Sequence, residues 1–132
     1  MSEQGKGEAG TVLVIDDDAM LLQACRQILE AAGYRVLTAE DGPEGLAIFR
    51  AEHETIDLCI VDWILPHLNG RQWIDCLLEV DPEVRVIFIT GYPIHEATRQ
   101  VVGPKVSSFL KKPVTPEQLL AAVAQALGQG PG

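Results

Sequence analysis

Short apolar runs alternate with segments of helical periodicity along most of the chain. Five of these runs are rich in β-branched residues, a composition that favours strands. Some of them, such as the VLVI of residues 12–15, are continuously apolar, which is typical of strands buried on both faces. The predicted strands are residues 11–16, 34–39, 58–62, 84–90 and 106–110.

The intervals between the strands, and the segment after the last one, carry apolar residues at the spacing of amphipathic helices. Helix boundary signals agree, since Gly33 can end the first helix and Thr115-Pro116 can cap and begin the last. The fourth helical segment, residues 94–102, has the weakest pattern. Five strands in alternation with five helices predict an α/β fold whose helices cover both faces of a parallel sheet.

Polar side chains stand where the predicted strands end. In an open parallel sheet the ligand site lies at the carboxyl ends of the strands, so these side chains should share one edge. Each alone could be a helix cap or a solvated group, but together they come from segments far apart in the chain. The set consists of Asp16, Asp17, Asp62, Thr90 and one or both of Lys111 and Lys112.

The chemistry of this set points to phosphoryl transfer. Three carboxylates at one edge repel one another and therefore predict a bound cation. Oxygen ligands without paired histidines or cysteines favour Mg²⁺. A hydroxyl and an ammonium group are what a phosphoryl group needs on the side away from the metal, and a carboxylate can serve as its acceptor.

The charge and hydropathy of the chain exclude some classes of binding partner. The net charge of −9 argues against contact with nucleic acid or an anionic membrane, because both require a basic face. No stretch approaches the roughly 18 apolar residues of a membrane span. The three cysteines form no CxxC motif and lie in apolar stretches, so we expect reduced thiols and a cytoplasmic protein.

The two ends differ in composition from the rest. Residues 1–10 and 128–132 are rich in glycine, and we expect flexible tails or cut linkers there. Residues 11–127 are then one domain, which is long enough to bury a core.

Four motifs occur in order at the strand ends: VLVIDDD, IVDWILPHLNG, VIFITGY and FLKKPV. On these motifs the chain resembles the receiver domains of two-component response regulators, in the CheY-like superfamily, from about Thr11 to Leu127. The resemblance implies a flavodoxin-like, doubly wound sheet of strand order 2-1-3-4-5. It also implies Mg²⁺-dependent phosphoryl transfer from a histidine kinase or phosphotransfer domain onto an aspartate, in a signalling switch rather than a turnover enzyme.

The resemblance assigns roles to particular residues. Asp62, which closes the third strand, is implied as the phosphoacceptor. Asp17 would bind Mg²⁺ directly and Asp16 would bind it through water, with Asp62 and the backbone carbonyl of Ile64 as further ligands. Asp18 is left over, and we predict that it caps the first helix.

The remaining roles concern the switch and its lifetime. Thr90 and Phe109 are implied as the switch residues, and Lys112, which precedes a proline in a cis peptide bond, as the phosphate-binding lysine. Many relatives have tyrosine where Phe109 stands. Ile64 and Tyr92 are implied to tune dephosphorylation. Ile64 cannot position a water, whereas Tyr92 can screen the phosphoryl group or can instead hold a water through its hydroxyl.

Two other functions stay open. Asp16 and Asp18 fit the Asp-x-Asp start of haloacid-dehalogenase-type phosphatases, although Met20 replaces the usual Thr or Val and no aspartate follows Asp81. A pseudo-receiver that only binds partners is disfavoured because every acidic and switch position is filled. The chain is either a stand-alone regulator or a receiver cut from a larger protein such as a hybrid histidine kinase.

Overall fold

Five parallel strands form one sheet in the computed structural model, which describes residues 9–64, 70–91 and 106–128. The strand order is β2-β1-β3-β4-β5, which confirms the predicted α/β, flavodoxin-like arrangement. The strands are β1 (Gly10–Ile15), β2 (Tyr34–Ala39), β3 (Leu58–Asp62), β4 (Val86–Thr90) and β5 (Val106–Lys111).

Four helices lie within the described residues. They are α1 (Ala19–Ala31), α2 (Gly42–Glu52), α3 (Gly70–Val80) and α4 (Pro116–Ala126). The helix predicted at residues 94–102 lies outside the described residues, as do most of both predicted tails. Within the part of the chain that the structure describes, no helix is long and apolar enough to cross a membrane.

Helices cover both faces of the sheet, which explains why the central strands are apolar at every position. Successive strand residues point to opposite faces. Val12 and Val14 of β1 therefore pack in one core layer, with α1 and α4, while Leu13 and Ile15 pack in the other, with α2 and α3. Every residue of β1, β3 and β4 is buried.

Side-chain caps begin three of the helices. The Asp18 carboxylate accepts hydrogen bonds from the backbone N–H groups of Met20 and Leu21, at 3.0 and 3.2 Å, which confirms its predicted role as the cap of α1. Asp41 caps α2, and Thr115 forms a capping box with Gln118 at the start of α4.

Three of the predicted strands differ from the structure at their ends: β1 is shifted by one residue, β4 begins two residues later, and β5 ends one residue later, at Lys111. β1 begins and ends one residue earlier than predicted, so Asp16 lies directly after the strand. β4 begins at Val86 rather than at residue 84. Asp81 forms a turn before it, accepting hydrogen bonds from the N–H groups of Glu83 and Val84, so Val84 is buried but not yet in the strand.

Candidate functional site

Three aspartates meet at the carboxyl ends of the two central strands β1 and β3. Asp16 follows β1 and Asp62 is the last residue of β3, and both are buried, with 1% and 7% of their surface exposed. Asp17 lies beside them and is exposed. One carboxylate oxygen from each of the three residues lies within 4.8 Å of those of the other two. The predicted acidic cluster is therefore present.

A lysine ammonium group lies against this cluster. Lys112 Nζ is 3.3 Å from Asp16 Oδ2 and 3.2 Å from Asp62 Oδ2. The backbone N–H of Lys112 donates to the carbonyl of Thr90 at 2.8 Å, which fixes the end of β5 beside the end of β4. The Lys112-Pro113 peptide bond is cis, as expected. Lys111, the other candidate, is exposed at the last position of β5.

Asp16 is the least solvated acid of the cluster. Its Oδ1 accepts a hydrogen bond of 2.8 Å from the backbone N–H of Asp18. Its Oδ2 is buried and accepts no hydrogen bond from the described residues, so the 3.3 Å approach of Lys112 is an ion pair without hydrogen-bond geometry. A buried carboxylate oxygen with so few partners, next to two further carboxylates, fits a site for a divalent cation.

Burial is the main reason why Asp16 is an unusually weak acid. It raises the pKa of the carboxyl from 3.8 to about 6, and the charge of Asp62 adds to this rise. The N–H of Asp18 and the ammonium of Lys112 act in the opposite direction. For Lys112 itself burial lowers the pKa, but the carboxylates of Asp16 and Asp62 outweigh it and raise the pKa above 10.5. Lys112 is therefore positively charged at neutral pH.

Asp62 is held from both sides. Its Oδ2 accepts a hydrogen bond from Lys112 Nζ at 3.2 Å, and its Oδ1 accepts one from the backbone N–H of Ile64 at 3.0 Å. The side chain of Ile64 is 56% exposed. Thr90, at the end of the neighbouring strand β4, is 2% exposed. Tyr92 lies outside the described residues.

The position of Asp18 bears on the phosphatase alternative. Its carboxylate is engaged with the first turn of α1, whereas Asp16 belongs to the buried cluster. The carboxylates of the two aspartates in the Asp-x-Asp pattern, Asp16 and Asp18, therefore have different partners. Asp17 and not Asp18 completes the cluster with Asp62.

Sequence reasoning missed an aromatic cluster beside the site. The ring of Trp63 makes edge contacts with Phe88 and Phe109, with centroids 4.9 and 5.4 Å apart, and the rings of Phe88 and Phe109 stack at 5.6 Å. Phe88 and Phe109 are paired in the β4–β5 register. Strand alternation could have indicated that pair, but the loop position of Trp63 could not have been read from a pattern.

Comparison with known proteins identifies the family of this chain. Residues 12–124 match the response regulator receiver domain. A crystal structure of a response regulator receiver domain protein from Clostridium thermocellum superimposes with a TM-score of 0.82 at 32% identity, covering 91% of this chain and 95% of that one.

The curated proteins with similar sequences include a transcriptional regulator and a phosphodiesterase. The transcriptional regulatory protein GlrR of Escherichia coli K12 is 35% identical over 118 residues, and a cyclic di-GMP phosphodiesterase of Thermotoga maritima is 30% identical over 117 residues. Both alignments cover 89% of this chain, but the chain spans only 26% and 31% of the lengths of those proteins. The shared part is therefore a domain. The chain belongs to the response regulator receiver domain family, whose members are the signalling switches of two-component systems.

Proposed function

We propose that the domain is switched by a phosphoryl group that Asp62 accepts from a phosphohistidine of a histidine kinase or phosphotransfer domain. The observation that carries the proposal is the double contact of Lys112 Nζ with Asp16 and Asp62, in a cluster that Asp17 completes. This arrangement joins a candidate acceptor, a cation site and a phosphate-binding ammonium group. Asp62 is modified once per cycle rather than turning over a substrate.

In the transfer step, a carboxylate oxygen of Asp62 attacks the phosphorus atom and the P–N bond to the donor imidazole breaks. The electron pair of that bond returns to the nitrogen, and the donor, protonated on its other nitrogen, leaves as neutral imidazole. Lys112 compensates the charge of the phosphoryl oxygens, and the Thr90 hydroxyl donates a hydrogen bond to one of them. Thr90 ends β4, the neighbour of the strand that Asp62 closes, and Lys112 follows β5, the next strand along the sheet.

Asp16, Asp17, Asp62 and the backbone carbonyl of Ile64 would hold Mg²⁺. The buried Asp16 Oδ2, which accepts no hydrogen bond from the described residues, supports a cation at this place. When bound, the ion supplies positive charge to the phosphoryl oxygens and offsets the repulsion between the carboxylates. Asp17 is exposed and so can bind an ion without rearrangement of the core.

Switching and lifetime are assigned to residues around the acceptor. Thr90 and Phe109 would change position on phosphorylation, and Ile64 with Tyr92 would slow hydrolysis by covering the approach of water. The 56% exposed side chain of Ile64, two residues after Asp62, supports its part in this shielding.

The proposed partner is a histidine kinase or phosphotransfer domain, and the proposed compartment is the cytoplasm. We propose that residues 11–127 form the domain. The net charge of −9 supports the proposal that it contacts neither nucleic acid nor a membrane. The two relatives differ in the activities that their names give, so we carry neither activity to this chain.

Phosphorylation by acetyl phosphate tests the proposal. With Mg²⁺, the intact mass should increase by one phosphoryl group, and Asp62→Asn should abolish the increase. Lys112→Met should reduce it strongly, whereas Lys111→Met, at the exposed neighbouring position, should leave it unchanged. If the Asp62→Asn variant is labelled as strongly as the wild-type protein, and at the residue that is labelled in the wild type, the assignment of Asp62 as the acceptor is wrong.

A further inference from the structure

The aromatic cluster formed by Trp63, Phe88 and Phe109 joins the candidate acceptor to the edge of the sheet. Trp63 directly follows Asp62, Phe88 lies in β4, and Phe109 lies in the edge strand β5. Phe88 is fully buried, whereas Trp63 and Phe109 are half-buried. A chain of ring contacts therefore runs from the residue next to the acceptor to a side chain that reaches the surface.

The backbone of Trp63 is held at both ends by hydrogen bonds of different kinds. Its own N–H donates to the carbonyl of Ile89 in β4 at 2.8 Å. The next N–H, that of Ile64, donates to Asp62 Oδ1 at 3.0 Å. The first bond is part of the sheet, whereas the second ends on the carboxylate that would be phosphorylated. One side of Trp63 is therefore anchored to β4, whereas the hydrogen bond on its other side depends on the state of Asp62.

Phe109 has no hydroxyl group with which to report the state of the site. Its contacts with Phe88 and Trp63 are contacts between rings. Phe88 is buried in the core as part of β4, so we expect its ring to keep the same position in both states of the site. Trp63, at the start of the loop after β3, is the partner in this cluster whose position can change.

We propose that Trp63 is a positioning residue that couples the state of Asp62 to the position of Phe109. The inference rests on the proposed function, because Asp62 must carry the signal. Phosphorylation turns the Asp62 carboxylate into an acyl phosphate, whose negative charge lies on the added phosphoryl oxygens, so the Ile64 N–H exchanges its bond to Oδ1 for one to the added group. The peptide between Trp63 and Ile64 then turns about the anchored Trp63 N–H, and the indole moves away from the edge contact with Phe109.

Fluorine NMR can follow Phe109 and the site in one spectrum. The protein contains three phenylalanines, so labelling with 4-fluorophenylalanine gives three signals, and Phe109→Leu assigns the relevant one. Beryllium fluoride with Mg²⁺ serves as the probe, because BeF₃⁻ bonds to a carboxylate oxygen as a mimic of the phosphoryl group. Bound BeF₃⁻ has its own fluorine signal, which reports loading independently of Phe109.

In the wild-type protein, loading should shift the Phe109 signal. In Trp63→Leu, and in Trp63→Met as a second variant without a ring, the BeF₃⁻ signal should appear while the Phe109 signal stays in place. Trp63→Tyr should restore the shift, since it keeps an aromatic ring without adding a fourth phenylalanine signal. Phe49→Leu is the matched control, because it removes a ring of the same core layer that contacts His53 instead, and it should leave the shift intact.

A Phe109 signal that moves equally in the ring-free variants and the wild type would overturn the inference, and so would a loaded wild-type protein whose Phe109 signal does not move. In both cases the bound BeF₃⁻ signal shows that the site is loaded, so the coupling through Trp63 fails while the proposed function does not. A wild-type protein that acquires neither bound BeF₃⁻ nor a phosphoryl group would overturn the proposed function and the coupling together.

Discussion

At the scale of single residues, the burial of Asp16 has a thermodynamic consequence. Its pKa of about 6 lies above its ordinary value of 3.8, mainly because burial disfavours the charged form. Between these two pH values the native protein therefore binds a proton that the unfolded chain releases. The contribution of Asp16 to stability is fully present below about pH 4 and is lost as the pH rises through about 6.

The pH dependence of unfolding checks this directly. In EDTA, the free energy of unfolding contributed by Asp16 should fall between pH 4 and pH 7, by at most about 3 kcal/mol from 1.36 kcal/mol per pKa unit. Asp16→Asn should remove this slope, because an amide does not titrate. Urea denaturation of both proteins at a series of pH values measures the difference, and parallel profiles would show that Asp16 does not titrate as described.

Asp17 should control the response to the metal. An ion that binds only the native state stabilises it by mass action, by about 1.4 kcal/mol at ten times its dissociation constant. Mg²⁺ should therefore raise the melting temperature at neutral pH, and Asp17→Ala should remove most of the rise. Thermal melts with and without Mg²⁺ measure it.

The matched control for Asp17→Ala is Glu117→Gln, which removes an exposed acidic group from the first turn of α4. This variant should keep the full Mg²⁺ response. A response that persists in Asp17→Ala, or is lost equally in Glu117→Gln, would contradict a metal site built on the acidic cluster.

At the scale of elements, the sequence patterns predict the order of strands and helices and the strand ends well. Asp62 and Thr90 end their strands as predicted, because apolar runs stop where the backbone leaves the core. The choice between Lys111 and Lys112 needed the resemblance. In the structure only Lys112 is seen in contact with the cluster, a result of the path of the chain at the end of β5.

Features that depend on long-range packing were beyond sequence patterns. Asp16 is buried, and its ion-pair partner Lys112 comes from the far end of the domain. The position of the Trp63 ring depends on β4 and β5, which follow it in the chain. A periodicity reports which face a residue takes, but not which side chain meets it across the sheet.

The close approach of α2 to β1 depends on Gly45. A Cβ at this position would lie 2.5 Å from Ile15 Cδ1, in the core. Gly45→Ala should therefore destabilise the domain by about 1–3 kcal/mol through overpacking, although alanine is the better helix former by about 1 kcal/mol. Chemical denaturation measures the change.

Ala51→Gly, at an exposed position of the same helix, is the control for helix propensity. It should be destabilising by no more than about 1 kcal/mol. If Gly45→Ala instead stabilises the protein by a similar amount, the α2–β1 contact is looser than the structure indicates.

At the scale of the whole molecule, the sheet order explains how distant segments make one site. β1 and β3 are neighbours at the centre, so Asp16 and Asp62 emerge side by side although they are 46 positions apart in the chain. β4 and β5 follow on one side and bring Thr90 and Lys112 to the same edge. The fold therefore concentrates acidic groups and one ammonium group at the edge where the proposed phosphoryl group is bound.

Chemical identification of the phosphorylated residue tests the central claim most directly. Borohydride reduces an aspartyl phosphate to homoserine, which peptide mass spectrometry locates in the sequence. After treatment with acetyl phosphate and Mg²⁺, we expect homoserine at position 62 and at no other position, and none when Mg²⁺ is replaced by EDTA. Homoserine at position 16 or 17, or a phosphoryl group that resists reduction and maps elsewhere, would contradict the assignment of Asp62 as the acceptor.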